Sequence, residues 1–211
     1  IRNSSEIFLN NAEDFYNNVF FPECEKQNIK QILHLGDYYD HRKFVNFKAL
    51  NQNRRVFLDQ LRKNKMTMDI IPGNHDTYYK NTNELNALKE CLGHYMNEIH
   101  IVMEPTVMQY GSLSMGLLPW ICADNYDQSM NFIRDCKADW LGAHLELANF
   151  EIGRGIMAHS GMDPKLFKKF EQVLSGHYHT ASKKENIWYL GNPMEFFWSD
   201  AHDPKYFHVL D

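Results

Sequence analysis

Gln31-Ile32-Leu33-His34-Leu35-Gly36-Asp37-Tyr38-Tyr39-Asp40 decides the reading of this chain. A short apolar run closes on a glycine and opens into acidic and aromatic residues. That is the pattern of a strand leaving a sheet through a tight loop. The pattern recurs twice. Met68-Asp69-Ile70-Ile71-Pro72 leads into Gly73-Asn74-His75-Asp76, and Gln172-Val173-Leu174-Ser175 leads into Gly176-His177-Tyr178-His179. Loops at strand ends are where an α/β sheet gathers side chains from distant parts of the sequence into one crevice.

The segments between these loops have helical periodicity. Phe8, Ala12, Phe15, Tyr16 and Val19 predict a first helix running to about Cys24, with Ser4 and Ser5 as caps and Glu6 and Glu13 near its positive end. Phe47, Leu50, Phe57, Leu58 and Leu61 predict a long helix from Phe44 to about Lys63. Shorter helices are expected over residues 83–92 and 124–137. Further strands are expected at 99–103, 107–110, 113–118, 155–159, 171–175, 187–190 and 206–210. This alternation describes a layered α/β sandwich in one domain of 211 residues.

A hydrophobic fraction of 44% supports a true core, to which fourteen Phe, eleven Tyr and four Trp bring large apolar surfaces. The net charge of -5 does not resemble a globally basic nucleic-acid binder. It leaves a DNA substrate open, because bound metals supply positive charge where a phosphate sits. Cys24, Cys91, Cys122 and Cys136 form no CxxC pair, and they read as reduced thiols of a cytosolic protein. No apolar run approaches the roughly 20 residues of a membrane helix, and no secretory signal opens the chain.

Oxygen and imidazole donors brought together suit a pair of divalent ions. Asp37 can bridge two cations, and Asn74 can offer its amide oxygen. His177 and His179 point the same way on an extended segment, or reach two neighbouring ions on a tight loop. His144 is a further donor, following the apolar Trp140-Leu141. Two ions roughly 3.5–4 Å apart clamp a phosphoryl group and activate water. The leaving oxygen then needs a proton, for which His75 is the candidate, with Asp76 adjacent to orient its ring. The chain therefore reads as a metal-dependent phosphoester hydrolase. Taken singly, each His or Asp is as well explained as a cap, a turn residue or a satisfied core group. Three such loops, each after a strand, are not. His34 reads as a core residue, and His94, His100, His202 and His208 have no motif around them. His41 and Arg42 either face the site or lie on a solvated loop. His159 ranks below His144 as a ligand.

These loops resemble those of the calcineurin-like metallophosphoesterases: Gly36-Asp37-x-x-Asp40, Gly73-Asn74-His75-Asp76, a later His144 and Gly176-His177-x-His179. Within that superfamily the chain is similar to SbcD/Mre-type DNA repair nucleases, phage recombination nuclease subunits among them. Asp40-His41-Arg42-Lys43, Thr77-Tyr78-Tyr79-Lys80-Asn81, Leu118-Pro119-Trp120 and Tyr189-Leu190-Gly191-Asn192-Pro193 carry this looser likeness. The resemblance implies an α/β/β/α metallophosphoesterase sandwich with central mixed sheets. It implies that Asp37 bridges two metals, that Asn74, His144 and His177 hold the second, and that His179 holds the first. It further implies that His75 is catalytic with Asp40 positioning it, and that the metal is manganese. The activity implied is DNA exonuclease and endonuclease cleavage, in the host cytoplasm if phage-encoded. The partners implied are an SbcC-type coiled-coil ATPase and a second nuclease subunit.

The chain departs from the family at one point. The family opens with an Asp-x-His pair that completes the first metal site, and none precedes Asp37. The expectation is that this motif lies just upstream of Ile1-Arg2 and that capping segments follow Asp211. Two other functions fit the same residues. One is a phosphatase or nucleotide phosphodiesterase. The other is a catalytically silent scaffold, should the first motif be absent. The helix at 44–63 carries more large apolar residues than one core face needs. Core packing or a dimer surface would use them.

Overall fold

The computed structural model describes residues 5–153, 155–196 and 200–210. Three parallel strands, β1 (Gln31–His34), β2 (Thr67–Ile70) and β3 (Ile99–Ile101), form one sheet in that order. Six others form a mixed sheet: β4 (Thr106–Tyr110), β5 (Leu113–Leu118), β6 (Trp140–His144), β9 (Gln172–Gly176), β10 (Ser182–Lys184) and β11 (Ile187–Tyr189). Their order is β10-β11-β9-β6-β5-β4, with β5, β6, β9 and β11 parallel and antiparallel partners at both edges. A small hairpin joins β7 (Glu151–Gly153) and β8 (Ile156–Met157).

Three clusters of buried residues define four layers. Leu35, Ile71 and Val102, at the ends of the first sheet, pack against Met115, Leu117 and Leu174 of the second. Phe57, Leu58 and Leu61 cover the outer face of the first sheet with Met68, Ile70 and Ile99. Ile133, Phe167 and Phe170 cover the outer face of the second with Leu141, Val173 and Tyr189. Helix, sheet, sheet, helix is the expected sandwich, and each sheet has both faces covered, as parallel strands require.

Helix and strand limits shift where local chemistry outvotes periodicity. The N-terminal helix covers residues 6–26, with Ser5 at its N-cap position; Ser4 lies outside the described residues. The second helix covers 47–63, starting at Phe47 rather than Phe44 because Asn46 accepts hydrogen bonds from the amides of Lys48 and Ala49. Asn86 likewise caps Ala87–Leu92, which begins four residues later than expected. Both long helices contain a π turn, at Tyr16–Phe20 and Arg54–Leu58. The extra residue lets Tyr16, Phe20 and Phe21 all reach Phe57, at ring distances of 4.9, 6.1 and 5.8 Å.

Residues 206–210 form no strand. Phe207 packs instead on Phe15 and Phe20 of the N-terminal helix, so the segment crosses a helix rather than joining a sheet. At 155–159 only Ile156–Met157 is extended. Three strands escaped the sequence reading: β6, β7 and β10. β6 is central, yet Gly142 and Ala143 supply little apolar signal. Its glycine sits in a tight space, since a Cβ there would lie 3.1–3.2 Å from the side chains of Leu117, Leu35 and Met115.

Candidate metal centre

The crevice sits at the carboxyl ends of β1, β2, β6 and β9, where the two sheets meet. Each strand delivers one donor. After β1 the backbone turns through Gly36 at φ +90° and Asp37 at φ +56°. A side chain at Gly36 would lie 2.5 Å from the His144 ring and 2.7 Å from Gly73, so only glycine lets these loops close. Asp37, and His177 at φ +87°, hold left-handed conformations that cost non-glycine residues energy and persist only where the surroundings enforce them.

The enforcing group at Asp37 is Asp76. Its fully buried carboxylate accepts from the amides of Asp37 (2.8 Å), Gly73 (2.8 Å) and Tyr39 (2.9 Å). It therefore stitches the β1 and β2 loops together. This corrects the expected role: Asp76 orients backbone, not the His75 ring. The ring is held through Nδ1, 2.6 Å from the carbonyl oxygen of Asp40. The contact from Asp40 is made by its main chain. The amide of His75 in turn donates to Asp37 Oδ1 at 2.8 Å.

Four donors expected from distant loops come together. Asp37, His144 and His177 each present a ligand atom within 4.8 Å of the others. Asn74 Oδ1 lies between the imidazoles, 3.1 Å from His144 Nε2 and 3.0 Å from His177 Nδ1. His144 is fully buried, and its Nδ1 donates to the Leu35 carbonyl at 2.6 Å. That bond fixes Nδ1 as a donor and points Nε2 toward Asp37 Oδ2, 3.3 Å away. His179 stands outside this cluster, with Nδ1 3.8 Å from Asp200 Oδ2. Asp200 is 4% exposed and had no sequence signal beyond being one acid among many. Trp120 also went unassigned. Its ring lies 5.5 Å from that of His177 and 5.9 Å from that of His144.

Electrostatics suit a cation. Burial works to raise the Asp37 pKa, but the charge and hydrogen bond of His144 and the His75 amide hold the carboxyl well below the usual carboxylate range. Burial also opposes charge on His144, and Asp37 outweighs it, so the His144 pKa is raised. Burial, reinforced by His144, pushes His177 down to about 3, leaving a neutral imidazole. The pair Asp37–His144 thus shares a proton where a divalent cation would be exchanged for it. A carboxylate, an amide oxygen and two imidazoles form a mixed oxygen–nitrogen donor set that fits a borderline divalent ion better than calcium.

Fold and site together define a class: metal-dependent hydrolases of phosphate esters built on a double-sheet sandwich. The sequence profile of the calcineurin-like phosphoesterases matches residues 10–181, and the chain belongs to that family. It is 32% identical over 187 residues to Exonuclease subunit 1 of Enterobacteria phage T4, an alignment covering 89% of this chain and 54% of the phage protein. The chain therefore spans about half the length of that relative.

Proposed function

We propose that this chain is the nuclease domain of a DNA exonuclease and endonuclease that hydrolyses phosphodiesters with two divalent ions, manganese being preferred. The observation that carries the reading is the convergence of Asp37, Asn74, His144 and His177 beside His75. Asp37, Asn74, His144 and His177 would hold one ion, and Asp37 with His179 would serve the other. Once bound, the ions supply the positive charge that activates water and neutralises phosphoryl oxygens. His75 supplies the leaving-group proton. Its Nδ1–H is held by the Asp40 carbonyl, which keeps Nε2 for the substrate, and the residue is exposed to it.

Kinship with a protein named as an exonuclease subunit supports both DNA as substrate and work within a complex. The partner in this reading is an SbcC-type coiled-coil ATPase. The second helix offers a homodimer surface. Phe57, Leu58 and Leu61 are core, but Phe47 is 85% exposed, and Phe44 and Ile7 stand out beside it. No helix among the described residues is long and apolar enough to cross a membrane, which suits action on DNA in a host cytoplasm. Release of nucleotides from linear DNA with manganese, abolished by a chelator, tests the assignment. Hydrolysis of an aryl phosphate monoester without DNA cleavage would move the chain to the phosphatases. Inactivity on both would make it a scaffold.

A further inference from the structure

Beside the metal centre lies a cavity of about 380 Å³ that the chemistry above does not use. Its inner wall is the ligand His144. Trp120, Cys122, Tyr126 and Met162 are among its other walls, with Glu146 as the acidic member. The size falls in the range of small-molecule sites. Trp120 lines the cavity beside His144, and its ring also lies 5.5 Å from that of His177.

Four hydrogen bonds fix the loop bearing Trp120. The Trp120 amide donates to Pro72 O at 2.9 Å. Its carbonyl accepts from Asn83 Nδ2 at 2.7 Å and Asn125 Nδ2 at 3.0 Å, and the Cys122 amide donates to Asn125 Oδ1 at 2.8 Å. A half-buried indole and the ring of Tyr126, which is 51% exposed, both line the cavity. Preorganisation of this kind lowers the entropy cost of binding a flat ring. Glu146 disfavours a phosphate in the cavity and suits an exocyclic amino group.

We infer that this cavity is a nucleobase subsite, taking the base of the nucleotide whose phosphate rests at the Asp37–His144–His177 centre. The inference rests on the phosphodiesterase reading for the position of that phosphate. It assigns Trp120 and Tyr126 as the stacking residues. Such stacking tolerates every base, as an end-processing enzyme needs, and its removal costs roughly 5- to 100-fold in affinity.

Calorimetric titration of the chain with deoxyadenosine monophosphate and with deoxyribose 5-phosphate tests it without turnover. The nucleotide should bind roughly 5- to 100-fold more tightly. Tyr126→Ala, at an exposed position, and Trp120→Ala should each shrink that gap, while Trp120→Phe keeps it. Oligonucleotides with a normal or an abasic terminal residue supply the kinetic arm. Trp120→Ala should lower kcat/KM on the first and leave the second unchanged. Equal affinity for the two small ligands overturns the subsite and leaves the metal hydrolase intact. Equal losses on both oligonucleotides make Trp120 a support for His144 and His177, and also overturn it. A binding gap in a chain that cleaves no DNA sinks the nuclease assignment and keeps the subsite.

Discussion

Replacing Asp76 separates two effects that one carboxylate now combines. Its oxygens hold three backbone amides, those of Asp37, Gly73 and Tyr39. A buried amide left without an acceptor costs about 1–3 kcal/mol. Against this stands the cost of the charge. Burial first, and then the nearby Asp37, raise the Asp76 pKa from 3.8 to about 6, which corresponds to about 3 kcal/mol against the ionised form at neutral pH. Asp76→Ala strands three amides and relieves that charge, so it should destabilise the chain by about 3 kcal/mol net, within a range of about 0–6 kcal/mol. Asp76→Asn can keep the two amides that share Oδ2 and loses the charge, while its Nδ2 replaces the acceptor of the Tyr39 amide. It should stay within about 1 kcal/mol of the parent. Urea unfolding at pH 7 measures both. Manganese titration should follow the same order, with the alanine variant losing affinity because Asp37 no longer keeps its left-handed backbone. If both variants unfold at the same urea concentration as the parent, the anchoring argument is wrong. If asparagine fails as badly as alanine, the two amides that share Oδ2 do not carry the anchoring and the Tyr39 amide at Oδ1 does.

Other perturbations probe the remaining assignments. His75→Ala should reduce turnover by about 10²- to 10⁴-fold while metal stoichiometry is unchanged; normal rates would remove His75 from the chemistry. Asp37→Ala should abolish tight binding of both ions, and two-ion occupancy in that variant would contradict bridging. His34 has a buried Nδ1 without a partner, and burial lowers its pKa from 6.5 to about 4. A depressed histidine pKa means that the unfolded chain takes up the proton first. Stability should therefore fall as pH drops from about 6.5 towards 4, by at most about 3 kcal/mol, and His34→Phe should flatten that part of the profile. Gly142→Val should cost about 1–3 kcal/mol by driving the two sheets apart, and a parent-like melting temperature would show that Leu35, Leu117 and Met115 yield freely.

The sequence disclosed the strand-then-loop pattern because both signals are local. An apolar run and a glycine exit are legible within ten residues, and Asp37, Asn74 and His177 each follow one. His144 was found from weaker grounds, since its strand carries Gly142 and Ala143 where bulky residues would have announced it. That strand is thin because the facing sheet fills the space. The failure at 206–210 has the same origin: alternating Tyr206, Phe207 and His208 suit a strand, but the apolar side found Phe15 and Phe20 instead.

Residue types and their order along the chain were enough to establish a parallel-stranded α/β protein with donors for divalent ions, because strand exits and side-chain chemistry are written locally. Which acid does what was settled only on folding. Asp37 and Asp76 are both acids in glycine-led loops. One faces the imidazoles, and the other turns inward to three amides contributed by two strands. Likewise, the tautomer of His144 depends on the carbonyl of Leu35, more than a hundred residues away in sequence. Such roles are set by the direction in which a side chain finds its hydrogen-bond partner, and that direction exists only once the two sheets have packed.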